Sequence, residues 1–236
     1  MSQLKVYHLP GAWGLPSVSP FCLKLDSFLR LTKIEHEAIT ASTPFGGPKK
    51  KAPWIEYRGR KMGDSALTID FLKDEFGVDP DSHLNARERA KGTAIQRLVE
   101  NNLYWAMVYD RWVREENWPI LKSTVLGSIP SPLRMVLAPI ARRGVKKQLG
   151  IQGIGEHSTA EINAIAVKDI RALGALLGEQ AWFLGDKISI TDATVYSLLA
   201  NIAFAKFESP MKAMLAEQQN LIEWLSRFRR ELYPEG

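Results

Sequence analysis

The chain has 236 residues, 45% apolar and 24% charged, the mix of an ordinary globular protein long enough for one large domain or two modest ones. A net charge of +5 is a mild excess. The only comparable basic cluster, Arg134 to Lys147, lacks the interleaved aromatics of a nucleic-acid surface, so no nucleic-acid partner is expected. One cysteine excludes an internal disulfide, and four scattered histidines without H-x-x-x-H spacing leave no structural zinc site, so no metal is expected.

The opening "MSQLKVYHLPG" has neither a basic start nor a long apolar stretch, so it does not read as a secretory leader. No window reaches the ~18 apolar residues of a membrane span, and a cytoplasmic protein is expected. Three runs, "LKVYH" (4–8), "IEHEAI" (34–39) and "WIEYR" (54–58), have the length of strands. "RGRKM" turns tightly around Gly59 into a short edge strand. Between the first two runs Ser19 is an N-cap, and Pro20 suits the first helical position. Phe21, Leu25, Phe28 and Leu29 follow at i, i+4, i+7 and i+8, one apolar stripe. A second helix begins at Asp64–Ser65, turns Ala66, Ile69, Leu72 and Phe76 inward, and stops at Gly77. The order is β-α-β-β-β-α, with "TASTPFGGPKKKA" (40–52) as an aperiodic loop.

"GVDPDSHLN" reads as a linker. This places a first domain at 1–77, the linker at 78–85 and a second domain, nearly all helical, at 86–236. One long helix is expected over 86–116, where Ile95, Leu98, Asn102, Trp105, Tyr109 and Trp112 recur three and four apart. Pro130 and Pro132 interrupt the next helical region. Ser158 with Glu161, and Ser189 with Asp192, are capping boxes for helices through 178 and over 190–206. A last helix is expected over roughly 211–230.

Three features of the first domain share one chemistry. The helix begun by Ser19 presents unpaired N–H groups and a partial positive charge to an anion. Pro53, at the start of the third strand, is compatible with a cis bond that leaves the preceding backbone at Ala52 free for an extended ligand. The Ser65 hydroxyl and N–H can hold a carboxylate. Together they suit a small extended peptide with a free carboxylate and a thiol.

Residues 1–76 resemble the thioredoxin-fold half of glutathione transferases, and 86–236 resemble their all-helical second domain. "SPFC" matches the family's catalytic position, "APW" its cis-proline turn, and "GDSALTIDFL" its γ-glutamyl carboxylate element. "ISITDATVYSLLA" is similar to its second-domain capping box. "PSVSPFCLKLDSFLR", "APWIEYRG", "GDSALTIDFL", "YWAMVYDRW" and "QGIGEHS" look more specifically like the failed axon connections and metaxin-related branch. The resemblance implies an α/β thioredoxin-like domain with a mixed sheet, followed by an all-α domain. It also implies glutathione as co-substrate, a small apolar electrophile as the other partner, and a homodimer with its two-fold near the first domain's last helix.

Within that frame Ser19 replaces the cysteine of a C-x-x-C pair, so disulfide chemistry is closed and hydrogen bonding to a bound thiolate is open. Free thiols titrate near ~8.5, and lowering that by about two units gives roughly twenty-fold more thiolate at pH 7. Ser19 is an N-cap in either case. Tyr7, near the end of the first strand, is the rival hydroxyl, and Cys22 the rival thiol, although a cysteine one turn into a helix is usually buried and inert. Ala52, Pro53, Asp64 and Ser65 are the implied glutathione contacts, with Lys51 or Lys50 for its glycine carboxylate. Trp13, Tyr104, Trp105, Tyr109 and Trp112 are candidates for the electrophile pocket; their default reading is core, and Asn102 within the stripe points to a cleft-facing helix.

Two departures stand out from the family frame. The connection 9–18 is long enough for Trp13 to cover the site, and the 40–52 loop stands where a short helix is usual. Finally, "SPLRMVLAPIARRGVKKQL" (131–149) mixes apolar and basic residues in a way that suits either a packed helix with a solvated basic face or contact with an anionic membrane surface. The reading is a glutathione transferase-like enzyme. Its alternative is a non-catalytic module of the same fold, acting in protein association or at a membrane surface.

Overall fold

The computed structural model describes residues 3–127 and 129–235. A four-stranded sheet begins it, built from β1 (Lys5–His8), β2 (Glu37–Thr40), β3 (Trp54–Tyr57) and β4 (Arg60–Gly63) in the order β2-β1-β3-β4. β1 pairs with β2 in parallel and with β3 antiparallel, so the sheet is mixed. Arg58 and Gly59 close the β3–β4 hairpin with φ of 47° and 75°, the two positive values that a tight hairpin turn demands. Leu4, Val6, Ile55 and Tyr57 turn one sheet face onto α1 (Pro20–Thr32) and α2 (Ser65–Phe76), where Leu25, Phe28, Leu29, Ile69 and Leu72 complete the core.

From Ala86 onward the described chain is helical: α3 (Ala86–Arg97), α4 (Tyr104–Trp112), α5 (Trp118–Leu126), α6 (Ser131–Gln152), α7 (Thr159–Leu177), α8 (Ile190–Ala203), α9 (Pro210–Glu217) and α10 (Gln219–Leu232). α8 is buried from Thr191 to Ile202 and packs on α1, so the helical half is built onto the first helix of the sheet half. Polar bonds fix that junction. Lys24, buried in α1, pairs with Glu100 at 2.7 Å, and the Tyr233 hydroxyl donates to Asp26 at 2.7 Å.

Two helices differ from expectation. The predicted 86–116 helix is divided: Leu98–Leu103 is wound as a π-helix between α3 and α4, and α4 ends at Trp112. The predicted 211–230 helix is two, because Gln218 leaves the helical region with ψ 84°. Asn220 then donates to the carbonyls of Gly174 and Gly178, tying the new start to α7. Among the described residues no helix is long and apolar enough to cross a membrane.

Candidate functional site

Register brings the three predicted features to one place. Tyr7 lies opposite Trp54, and Trp54 opposite Gly63, so the end of β1, the start of β3 and the end of β4 form one row. From that edge leave the connection to Ser19, the Ala52–Pro53 segment and the Asp64–Ser65 helix start. Neighbouring strands stand ~4.8 Å apart, and three of them span the width of a small extended ligand.

Ser19 caps α1 with extended backbone, φ −95° and ψ 119°. Its oxygen accepts the Cys22 N–H at 3.4 Å, and the hydroxyl retains one hydrogen to donate. Pro20 removes one of the helix's first donors and the cap takes another, so the Phe21 N–H is the first left open toward the site. Cys22 is buried, and burial pushes its thiol up against smaller opposing contributions from Leu9, Ser19 and Ser17. It stays protonated at neutral pH and is poorly placed as a nucleophile. Tyr7 stacks on Trp54 at 4.7 Å, on the sheet face opposite Val6 and α1.

The Ala52–Pro53 bond is cis. Pro53 is buried, and among the described residues neither backbone polar group of Ala52 has a backbone partner. Asp64, with φ 88°, caps α2 by accepting from Ala66 and Leu67 at 3.0 and 3.2 Å. Its other oxygen lies 3.8 Å from Lys49. The Ser65 N–H and hydroxyl have no hydrogen-bond partner among the described residues, as expected of open donors at a helix start. Lys51 reaches Gln148 of α6 at 3.5 Å, which sets α6 beside the 40–52 loop.

The five aromatic candidates do not form one wall. Tyr104 meets the edge of Phe21 at 4.8 Å and Trp105 at 5.2 Å, beside the α1 start. Burial pushes its phenol up against a smaller opposing pull from the Arg111 charge, and its hydroxyl makes no hydrogen bond to the described residues. Tyr109 instead bonds Thr159 at 2.7 Å, and Trp112 packs on Trp118 at 5.7 Å. Trp13 packs edge-on to Phe207 at 5.2 Å, under the Arg111 guanidinium, rather than over Ser19. Asn102 turns away from the cleft and donates to Asp169 at 2.6 Å, a bond between the π segment and α7. A groove of about 590 Å³ lies at the opposite end of α1 beside Leu31, His83 and Trp182, and contains none of these residues.

Comparison with known proteins agrees with this architecture. Residues 20–117 match the model of a glutathione S-transferase N-terminal domain, and 166–228 that of a C-terminal domain. An isoprene-epoxide glutathione S-transferase of Rhodococcus is 31% identical over 97% of this chain and 99% of its own. The chain belongs to the glutathione transferase family. Its relatives include failed axon connections of Drosophila melanogaster, 29% identical over 94% of this chain and 56% of that protein. Mouse metaxin-1 is 26% identical over 99% and 76%. In fold, a Bombyx mori glutathione transferase superposes with a TM-score of 0.65 at 18% identity, over 99% of this chain and 90% of the other.

Two residues near this edge escaped the sequence reading. Ser17, buried, donates to the Leu9 carbonyl at 2.8 Å and accepts the Ser19 N–H at 3.3 Å, fixing the loop that carries Ser19. Arg111, also buried, donates to the Val18 carbonyl at 3.1 Å and to the Asn201 side chain at 3.0 Å, while its Nε is unpartnered. It holds a cation one residue from the α1 N-terminus, and burial pulls its pKa down to about 10, so the charge persists at neutral pH. The signal for Arg111 was a charge inside the apolar run "YWAMVYDRW".

Proposed function

We propose that this chain conjugates glutathione to a small apolar electrophile, with an aliphatic epoxide as the leading class. The observation that carries the reading is the Ser19 hydroxyl capping the start of α1, with the Tyr104 ring packed on Phe21 of the same first turn. Support for the substrate class comes from the Rhodococcus relative, whose name records an isoprene epoxide.

The tripeptide fits the residues at this edge. Asp64 offers a carboxylate to its amino group, and Ser65 offers a hydroxyl and N–H to its α-carboxylate. Ala52 offers free backbone groups to its middle residue, and Lys51 a cation to its glycine carboxylate. The sulfur then comes to rest against Ser19, where the hydroxyl, the α1 dipole and the Arg111 charge all favour the thiolate. The sulfur anion attacks a ring carbon, the C–O bond opens, and the oxygen takes a proton from Tyr104, which is then restored from water. A homodimer with its two-fold near α2 would cover Leu67, which is exposed there.

The test is steady-state conjugation of a short aliphatic epoxide by wild type, Ser19→Asn and Tyr104→Phe. The reading expects turnover in wild type and a loss of tenfold or more in each variant, the size typical of one proton-donating group. A wild type that neither turns over nor is retained on immobilised glutathione would place the chain with its alternative, a binding module of the same fold.

A further inference from the structure

The N-terminal half of α6 carries an apolar stripe on its wrong side. Leu133, Val136, Leu137 and Ile140 stand at i, i+3, i+4 and i+7, the spacing that an ordinary surface helix turns inward. Here all four are exposed, by 37 to 60%. α6 is seated instead by Ala138 and Leu149, which are buried on its opposite side. Arg142 anchors the same seat, donating to the carbonyls of Trp112 and Val113 and to Glu115. The outward stripe is therefore left over after the helix has been packed.

What covers it is indicated by charge. One and two turns beyond Ile140, Arg143 and Lys147 continue the same line, both exposed and without an ion pair among the described residues. Residues 131–152 contain five basic side chains and no acidic one. A second copy laid with its α6 against this one would bring two acid-free basic helices together, which repel.

We propose that this face of α6 docks on an anionic lipid surface. The apolar stripe enters the boundary between headgroups and acyl chains, while Arg143 and Lys147 lay their stems along it and meet lipid phosphates. The 40–52 loop touches the C-terminal half of α6 through Lys51 and Gln148 and carries an exposed Phe45. This inference is independent of the catalytic reading.

The test is co-sedimentation of the full chain with vesicles of phosphatidylcholine alone and of phosphatidylcholine mixed with phosphatidylglycerol, at low and high salt. The expected result is binding to the anionic vesicles only, weakened by salt. Arg143→Gln with Lys147→Gln should weaken it on the order of twenty-fold, at about fivefold per basic residue. Val136→Ser with Ile140→Ser, folded by circular dichroism, should weaken it at least about tenfold. Equal binding to both vesicle types, or to neither, overturns the proposal. So does a concentration-dependent dimer of the wild type that Val136→Ser with Ile140→Ser abolishes, because that result assigns the face to a second copy.

Discussion

Ser19 combines a structural and a proposed chemical role, and a substitution can separate them. Asparagine caps a helix about as well as serine but has no hydroxyl. Ser19→Asn should keep stability within ~0.5 kcal/mol of wild type while turnover falls. Ser19→Ala should lose turnover and also about 1 kcal/mol of stability. Thermal melts read beside steady-state rates distinguish the two. Asp110 gives a second test at this scale. It is buried in α4, and burial pushes its pKa up to about 6, despite Arg114 at 3.1 Å. The fold therefore prefers its protonated form, so its contribution to stability is full below the ordinary carboxylate pKa and is lost as pH rises through about 6. Asp110→Asn removes that slope. Relative to wild type, the variant should gain about 1–3 kcal/mol between roughly pH 4 and pH 7 in denaturant titrations. A difference that stays flat across this range would show that Asp110 is charged in the fold throughout.

At the scale of elements, α8 is the part on which the rest is hung. Its capping residue Asp192 is buried and accepts from the Ser189 N–H and hydroxyl, the Phe183 N–H and the Trp224 indole. Four donors converge on one carboxylate, and removing it leaves them all unpaired. Asp192→Ala should cost about 3–5 kcal/mol, a fall of roughly 6–20 °C in Tm for a chain of this size. A loss near 1 kcal/mol would mean that α8 is held by its apolar packing alone. α3 approaches α8 closely as well: a side chain at Gly92 would stand 2.6 Å from the Thr191 hydroxyl. The polar bond from Lys24 to Glu100 then crosses from α1 to the π segment, which places Tyr104, the next residue after that segment, beside the helix that Ser19 begins.

For the whole molecule, what the sequence made legible was local. Ser19–Pro20, Arg58–Gly59, Asp64 and the two capping boxes could be read because a cap or a turn needs particular residues within three positions. The resemblance then ordered these signals into a fold. What stayed hidden depends on partners far along the chain. Nothing near Arg111 announces that it will meet Val18, nor near Asn102 that it will meet Asp169. Helical spacing gave the aromatic stripe, but spacing alone does not say that Tyr104 turns to Phe21, Tyr109 to Thr159 and Trp112 to Trp118. The break at Gln218 carries no proline or glycine to mark it.

The central claim is that a glutathione sulfur rests as an anion against the α1 start. The measurement that tests it most directly is a pH titration of the thiolate ultraviolet absorbance of glutathione bound to wild type and to Ser19→Asn. The account predicts a bound thiol titrating about two units below the free one in wild type, and a return toward the free value in the variant. A bound thiol that titrates like free glutathione in wild type, or identically in both proteins, contradicts it.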